Sequence, residues 1–258
     1  GDCLDPVSGL ASLADDSVDV AATDPPYEAE AHTEQRRQKG KATAGGSCEF
    51  YREVNEAALT FDAITEEQRV EVARQLARVC RKRAIVFCQA EAVAAWKEAF
   101  NATAMPYRRA LPWCKPDAMP SLHGRWPGQG YESIVLAMKP SAPPCPVGGK
   151  ARVYTATRAQ AGTPGAPGGR GGRAPHPTTK PLPLILELLA DFTDEGDVVL
   201  DPFAGSGTTG VAALQLGRRF IGWEMNESYH AIATRRLSGD RAILQPAQPE
   251  LFGAGSNR

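Results

Sequence analysis

The chain carries six cysteines and four histidines but no Cys-x-x-Cys pair and no His pair at a metal-ligand spacing. Cys3, Cys48, Cys80, Cys88, Cys114 and Cys145 are scattered, which argues against zinc and for reduced thiols in a cytoplasmic protein. Cys88 and Cys114, at the ends of apolar runs, read as plain core residues. His123 and His176 form no metal pair with any cysteine, and His32 reads as a solvated loop residue, so no metal is expected. No stretch approaches the roughly 18 consecutive apolar residues of a membrane span, so the chain reads as soluble. No signal peptide is legible, and the chain opens Gly1-Asp2-Cys3-Leu4 without Met, as a trimmed chain would. A formal net charge of −1 argues against an all-over basic nucleic-acid binder, and no internal repeat occurs.

What is present is a chain of 258 residues, 42% hydrophobic, enough for one large domain with a sizeable core. Its charge is segregated. Between residues 101 and 180 eleven Lys/Arg, among them Lys115, Arg125, Arg170 and Arg173, face only Asp117 and Glu132. A second basic cluster is Arg36, Arg37, Lys39 and Lys41. Solvated loops would explain such clusters blandly; a polyanionic partner explains them as a footprint.

Hydrophobic periodicity divides the chain into alternating strands and helices. Val18 to Thr23 is a short, β-branched, apolar run, the pattern of a buried parallel strand. Residues 28–60 are polar with little periodicity, a loop long enough to be functional or mobile. Thr65 caps a helix on which Val70, Ala73, Leu76, Ala77 and Cys80 share a face. Strands are expected at Ala84 to Cys88, up to Cys114 from Leu111, and at Tyr131 to Met138, with a helix from Glu91 to Phe100. From Pro140 to Pro177 the composition shifts to Pro, Gly and Arg, as in a linker or an insert ordered on binding. Beyond it come a helix with Pro181 in its first turn and the stripe Leu184, Ile185, Leu188 and Leu189, then a strand at Val198 to Leu200. A helix from Thr208 to Leu216, a strand from Phe220 to Trp223 and a helix from Ser228 to Leu237 follow. This alternation predicts an α/β fold, a mainly parallel sheet with helices on both faces.

Two motifs carry chemistry. Asp201-Pro202-Phe203-Ala204-Gly205-Ser206-Gly207-Thr208-Thr209-Gly210 leaves a strand and opens a helix. Its glycines let backbone approach a ligand, and the helix N-terminus favours a negative group. Glu224 ends the next strand about twenty residues on, where a carboxylate can accept from ribose hydroxyls. Taken alone, this spacing fits a nicotinamide dinucleotide as well as S-adenosylmethionine. Asp24-Pro25-Pro26-Tyr27 directly follows the first buried strand and so lies at the carboxyl edge of the sheet. The prolines stiffen the turn. An exocyclic base amine is a poor nucleophile because its lone pair is delocalised into the ring. Asp24 and the Pro25 carbonyl can accept its two hydrogens and free that lone pair for attack on a sulfonium methyl. Tyr27 offers a face on which a flipped base can stack. An Asp-capped Pro-Pro turn beside a core tyrosine is the bland alternative.

Together the two motifs resemble the amino-methylating DNA methyltransferases, and their order, catalytic turn first and cofactor loop last, resembles the β class. Asp16-Ser17-Val18-Asp19, Trp113-x-Lys115-Pro116, Tyr131-Glu132, His176-Pro177-Thr178-Thr179-Lys180-Pro181 and Gly217-Arg218-Arg219-Phe220-Ile221-Gly222 are also similar to that family. The resemblance implies a circularly permuted S-adenosylmethionine-dependent methyltransferase fold, with a seven-stranded sheet whose last strand is antiparallel. It implies that Asp2 and Cys3 contact the cofactor adenine and that Thr178, Thr179 and Lys180 sit near its methionine carboxylate. Phe203 would pack in the pocket, the Asp201–Thr208 loop (Ala204, Gly205, Ser206, Gly207) would line it, and Glu224 would hold the ribose. Residues 1–139 would form the catalytic half, 140–177 a target-recognition insert, 178–237 the cofactor half and 238–258 a tail. The expected substrate is double-stranded DNA, contacted by Arg36, Arg37, Lys39, Lys41, Lys115, Arg125, Arg170 and Arg173, and family members are often homodimers. Asp at the first position of the turn leans toward adenine N6, whereas Ser would lean toward cytosine N4. A nicotinamide oxidoreductase leaves the catalytic turn unexplained, and an inert DNA-binding module leaves both motifs intact without use. The recognition sequence, and whether a companion nuclease exists, stay open.

Overall fold

The computed structural model describes residues 1–27, 63–118, 125, 127–157 and 179–239. Seven strands form one sheet: β1 (Val18–Thr23), β2 (Cys80–Cys88), β3 (Tyr107–Cys114), β4 (Tyr131–Met138), β5 (Tyr154–Thr155), β6 (Val198–Asp201) and β7 (Arg219–Gly222). Their spatial order is β5-β3-β4-β2-β1-β6-β7. β1 pairs in parallel with both β2 and β6, β6 with β7 and β3 with β5, whereas β4 is antiparallel to both β2 and β3. The reversed strand is therefore fourth in the chain and internal to the sheet, while the last strand, β7, runs parallel.

Every residue of β1 is buried, as a central strand covered on both faces requires. Alternation along the strands sorts the core into two layers. Ala84, Val86 and Cys88 of β2 pack with α1 (Glu66–Val79) and α2 (Val93–Asn101), through Val72, Leu76, Trp96 and Phe100. Ile85 and Phe87 point the other way, onto Leu184, Ile185, Leu188 and Leu189 of α3 (Leu182–Phe192) and Val211 of α4 (Thr208–Gln215). The closing helix is α5 (Glu227–Leu237). Each large apolar side chain so buried contributes roughly 1.5–3 kcal/mol relative to exposure, so these two layers set the phase of the helices.

That phase corrects one expectation. Val70 is 45% exposed, because the inward stripe of α1 runs through Val72, Leu76 and Val79 and Val70 falls on the opposite side. Thr65 does cap α1, in a reciprocal capping box with Gln68. Pro181 stands at the N-cap of α3, one position before its first turn. Periodicity gave no sign of β5, which has only two residues. Its Tyr154 hydroxyl donates to Asp191 on α3 (2.8 Å), and the indole of Trp113 donates to the Ala156 carbonyl (3.0 Å). The described part of the expected insert, up to residue 157, thus edges the sheet. None of the described helices is long and apolar enough to cross a membrane.

The chain leaves β1 for α1 and β2 on one side, and its later half supplies β6 and β7 on the other. The loops following β1 and β6 consequently open side by side at the carboxyl edge, the usual place for a ligand in an α/β sheet.

Candidate active site

Asp24 follows β1 directly, and Asp201 ends β6, its immediate neighbour. The Thr23 hydroxyl donates to Asp201 Oδ1 at 2.7 Å, fixing the two strand ends against each other. Asp201 also accepts from the Phe203 amide (3.1 Å), which turns the chain into the glycine loop. Burial pushes the Asp201 carboxyl up to about 6 against these hydrogen bonds.

The loop itself is shaped by glycine. Gly205 (φ 53°) and Gly207 (φ 80°) both adopt left-handed backbone that other residues rarely enter. A side chain on Gly205 would meet nothing within 4 Å, so backbone there borders open space. One on Gly210 would instead lie 2.7–2.8 Å from Leu237 and Phe220, because α4 packs closely on β7 and α5. Gly210→Ala is accordingly expected to cost ~1–2 kcal/mol net, despite its better helix propensity. A chemical-denaturation midpoint equal to that of the parent chain would refute this.

Glu224 clamps the loop from below. Its Oε2 accepts from the Gly205 amide and its Oε1 from the Asn226 amide, both at 2.8 Å. Each oxygen keeps a further lone pair for a ligand hydroxyl. The Glu224 carbonyl accepts from the amino group of Gly1 (2.8 Å), and the Trp223 indole donates to the Ser8 carbonyl (3.0 Å). This draws the N-terminal turn to the same edge, with Asp2 exposed and Cys3 buried. Burial, reinforced by Asp2, raises the Cys3 thiol to about 12, so it is inert as a nucleophile. Phe203 packs half-buried against the first core layer, and the Ala204 amide bonds the Trp223 carbonyl (2.8 Å). Ser206 and Thr208 face away from the edge. Both are buried, and both hydroxyls accept from Arg236 (3.1 and 3.2 Å).

At the other side of Asp24 stands a charged cluster. Lys180, just ahead of α3, lies 2.7 Å from Asp24 Oδ2, 3.2 Å from Glu132 Oε2 and 3.1 Å from the Tyr27 hydroxyl. Its ammonium also sits 5.2–5.8 Å from the ring centres of Phe87, Tyr27 and Trp113. Tyr27 donates to Glu132 at 2.7 Å, and Glu132 Oε1 accepts from Lys115. Asp24 Oδ1 is shielded from solvent and has no hydrogen-bond partner among the described residues.

Burial raises the Asp24 carboxyl to about 6, with Lys180 opposing the shift and Glu132 adding to it. Burial works against the Lys180 ammonium, but Asp24 and Glu132 outweigh it and hold its pKa above the ordinary lysine value. Burial likewise opposes ionised Glu132, and Lys180 and Lys115 overcome it, so its carboxyl lies below the usual range. The cluster is two carboxylates balanced by two ammonium groups.

A sequence profile described as DNA methylase matches residues 18–235, which is most of the chain. The chain belongs to the DNA methylase family. The DNA adenine methyltransferase YhdJ of Escherichia coli (strain K12) is 50% identical over 62 residues, 24% of this chain and 21% of that protein. Matches to the curated relatives span only about a fifth to a third of those proteins' length. Among solved structures, the M1.HpyAVI–SAM complex superposes with a TM-score of 0.61 at 23% identity, covering 88% of this chain and 90% of that one. The PvuII DNA methyltransferase (cytosine-N4-specific) gives 0.60 at 15% identity, covering 93% and 92%. These likenesses establish the methyltransferase fold.

Of the site residues read from the sequence, the structure brings together the Asp24–Tyr27 turn with Lys180, and gathers Asp2, Cys3, Asp201, Phe203, Gly205 and Glu224 around the loop. Thr179 lies half-buried beside Lys180. Lys115, expected at the DNA, instead points its ammonium at Glu132 and is only 14% exposed. Arg125 is exposed. Arg36, Arg37, Lys39, Lys41, Arg170, Arg173 and Thr178 lie outside the described residues. Glu132 was missed as a site residue. Its signal was present, since it is one of only two acidic residues facing the eleven basic ones between residues 101 and 180.

Proposed function

We propose that this chain transfers the methyl group of S-adenosylmethionine to the exocyclic N6 of a flipped adenine in double-stranded DNA. The observation that carries the reading is Asp24 Oδ1, a shielded acceptor without a partner among the described residues, at the sheet edge beside the open glycine loop. A polar atom so placed is costly unless a ligand donor meets it. An amino hydrogen of a base has the right chemistry.

The loop residues fit the cofactor. Gly205 leaves backbone open for close approach, Glu224 retains lone pairs for ribose hydroxyls, and Asp2, Cys3 and Phe203 border the same edge. Bound S-adenosylmethionine supplies an electrophilic methyl carbon on a positively charged sulfur. Asp24 Oδ1 accepts one amino hydrogen and the Pro25 carbonyl the other, which turns the nitrogen lone pair out of conjugation. With the cofactor bound, that lone pair would displace the methyl carbon from sulfur, and Asp24 is placed to receive the proton that the methylated amine must then lose. Tyr27 presents its ring to the base. The basic residues read from the sequence other than Lys115, Arg125 among them, would meet DNA phosphates.

Adenine is favoured by Asp at the first position of the turn, and the similar YhdJ is named an adenine methyltransferase. Cytosine N4 is the competing target. Transfer of labelled methyl from S-adenosylmethionine to duplexes containing only adenine or only cytosine as the exposed amino base tests both. Label on neither would end the proposal; label on cytosine alone would replace N6 with N4.

The same site implies a pH dependence. Asp24 must be ionised to accept the amino hydrogen, and its carboxyl titrates near 6. The chemical step is therefore expected to be full above that pH and to fall about tenfold per unit below it. A single-turnover rate flat down to pH 5 would contradict the role given to Asp24.

A further inference from the structure

Glu132 plays no part in the transfer itself, yet it holds three polar partners at the sheet edge. It gets there because β4 is reversed. Six strands bring their carboxyl ends to this edge, whereas β4 brings its beginning, and Glu132 pairs in register with Trp113 near the end of β3. Its Oε2 accepts from the Tyr27 hydroxyl (2.7 Å) and from Lys180 (3.2 Å), its Oε1 accepts from Lys115, and its side chain is 13% exposed.

The consequence lies in counting donors. A lysine ammonium has three hydrogens. Those of Lys180 have three acceptors in reach: Asp24 Oδ2, Glu132 Oε2 and the Tyr27 hydroxyl. None is left for Asp24 Oδ1. An isolated Lys–Asp pair would have nothing to prevent the ammonium from straddling both carboxylate oxygens, which would close the acceptor that the amino group needs. Tyr27 can receive from Lys180 only in the geometry set by its own donation to Glu132.

We propose that Glu132 is a positioning residue, which takes one Lys180 donor and orients the Tyr27 hydroxyl to take another, so that Asp24 keeps Oδ1 open. Its purpose rests on the methyl-transfer reading, whereas its geometry does not. The charged and titratable groups around Asp24 are Lys180 ahead of α3, Glu132 on β4, Lys115 after β3, Tyr27 on its own turn and Asp201 at the end of β6. Removing the Glu132 charge takes away a negative neighbour and weakens the competing hold on Lys180. Both changes favour ionised Asp24.

The test uses the full chain with Glu132→Gln, which keeps size and an acceptor oxygen, and Tyr27→Phe, which removes the hydroxyl's two hydrogen bonds, to Glu132 and from Lys180, but no charge. The Asp24 carboxyl is titrated by carbon NMR, and kcat and KM for methyl transfer are measured against pH. Glu132→Gln is expected to lower the Asp24 midpoint by about one pH unit. It should also cut kcat about tenfold or more, the usual scale for an orienting partner, with KM for S-adenosylmethionine within about threefold. The acid limb of kcat should move down with the midpoint although the rate has fallen. Tyr27→Phe frees one Lys180 donor but removes no charge, so it should lower the midpoint by less than half as much as Glu132→Gln. An unmoved midpoint in Glu132→Gln, or an equal shift in Tyr27→Phe, would overturn the proposal even if kcat fell. A wild-type chain that methylates no DNA would end the functional reading instead, and the NMR titration would still decide the placement of Lys180.

Discussion

Asp24→Ala is expected to slow methyl transfer by about 10²–10³-fold, the scale on which loss of one preorganised hydrogen-bonding group at a reacting centre is felt. Binding of S-adenosylmethionine should stay within about threefold, because the groups that border the loop are carried by β6, β7 and the N-terminal turn. The fold should survive as well. Lys180 loses one partner but keeps Glu132, the Tyr27 hydroxyl and three aromatic faces, so no cation is stranded. Asp24→Asn sharpens the result. It preserves shape and one acceptor oxygen but removes the charge and the proton-accepting capacity. It should therefore rank between wild type and Ala, with its acid limb near pH 6 abolished. Calorimetry for the cofactor and single-turnover label transfer give the two numbers. Lost cofactor affinity with turnover retained would place Asp24 in the cofactor site, not at the amine.

The parts of this site legible in the sequence are those whose chemistry is local. Asp24-Pro25-Pro26-Tyr27 needs only a buried strand before it, and the run from Asp201 to Gly210 needs a strand before it and a helix after it. Both conditions can be read from periodicity within a few residues of the motif. Glu132 could not be found that way. The rule that sites form at the carboxyl ends of parallel strands passes over the beginning of a strand, and only the reversal of β4 puts Glu132 at that edge. Lys115 illustrates the complementary error. A lysine in a basic stretch was assigned to phosphate, but tertiary pairing with Glu132 turns it inward. Ser206 and Thr208 lie in the loop that the resemblance assigns to the cofactor, and the buried guanidinium of Arg236, about 30 residues later, engages both hydroxyls, a contact the motif does not announce. β5 escaped because two residues carry no period, and it is held by side chains, Trp113 and Asp191, from distant elements.

Lys180→Met separates charge from packing at the same site. The ammonium is buried between Asp24 and Glu132, and methionine fills much of its volume without its charge. Two carboxylates then share a poorly hydrated space with only Lys115 to balance them. Removing one partner of a buried pair costs on the order of 3 kcal/mol. The sign of the pH dependence follows from linkage. Without Lys180 both carboxyls titrate higher in the folded chain than in the unfolded one. Their ionisation then opposes folding, so the deficit against wild type is full above the folded pKa and shrinks as pH falls and the groups take up protons. Activity moves the opposite way. Ionised Asp24 is reached only at higher pH, so the acid limb near 6 should shift upward and rate should recover toward alkaline pH. Lys180→Arg, which restores the charge, should return the limb toward its original position even if the rate stays below wild type. The direction is what discriminates, because Glu132→Gln moves the same limb downward. Two variants that shift one titration in opposite senses place the titrating group beside both Lys180 and Glu132, where Asp24 stands. A limb that neither variant moves would mean that a more distant carboxylate, Asp201 foremost, sets the pH dependence.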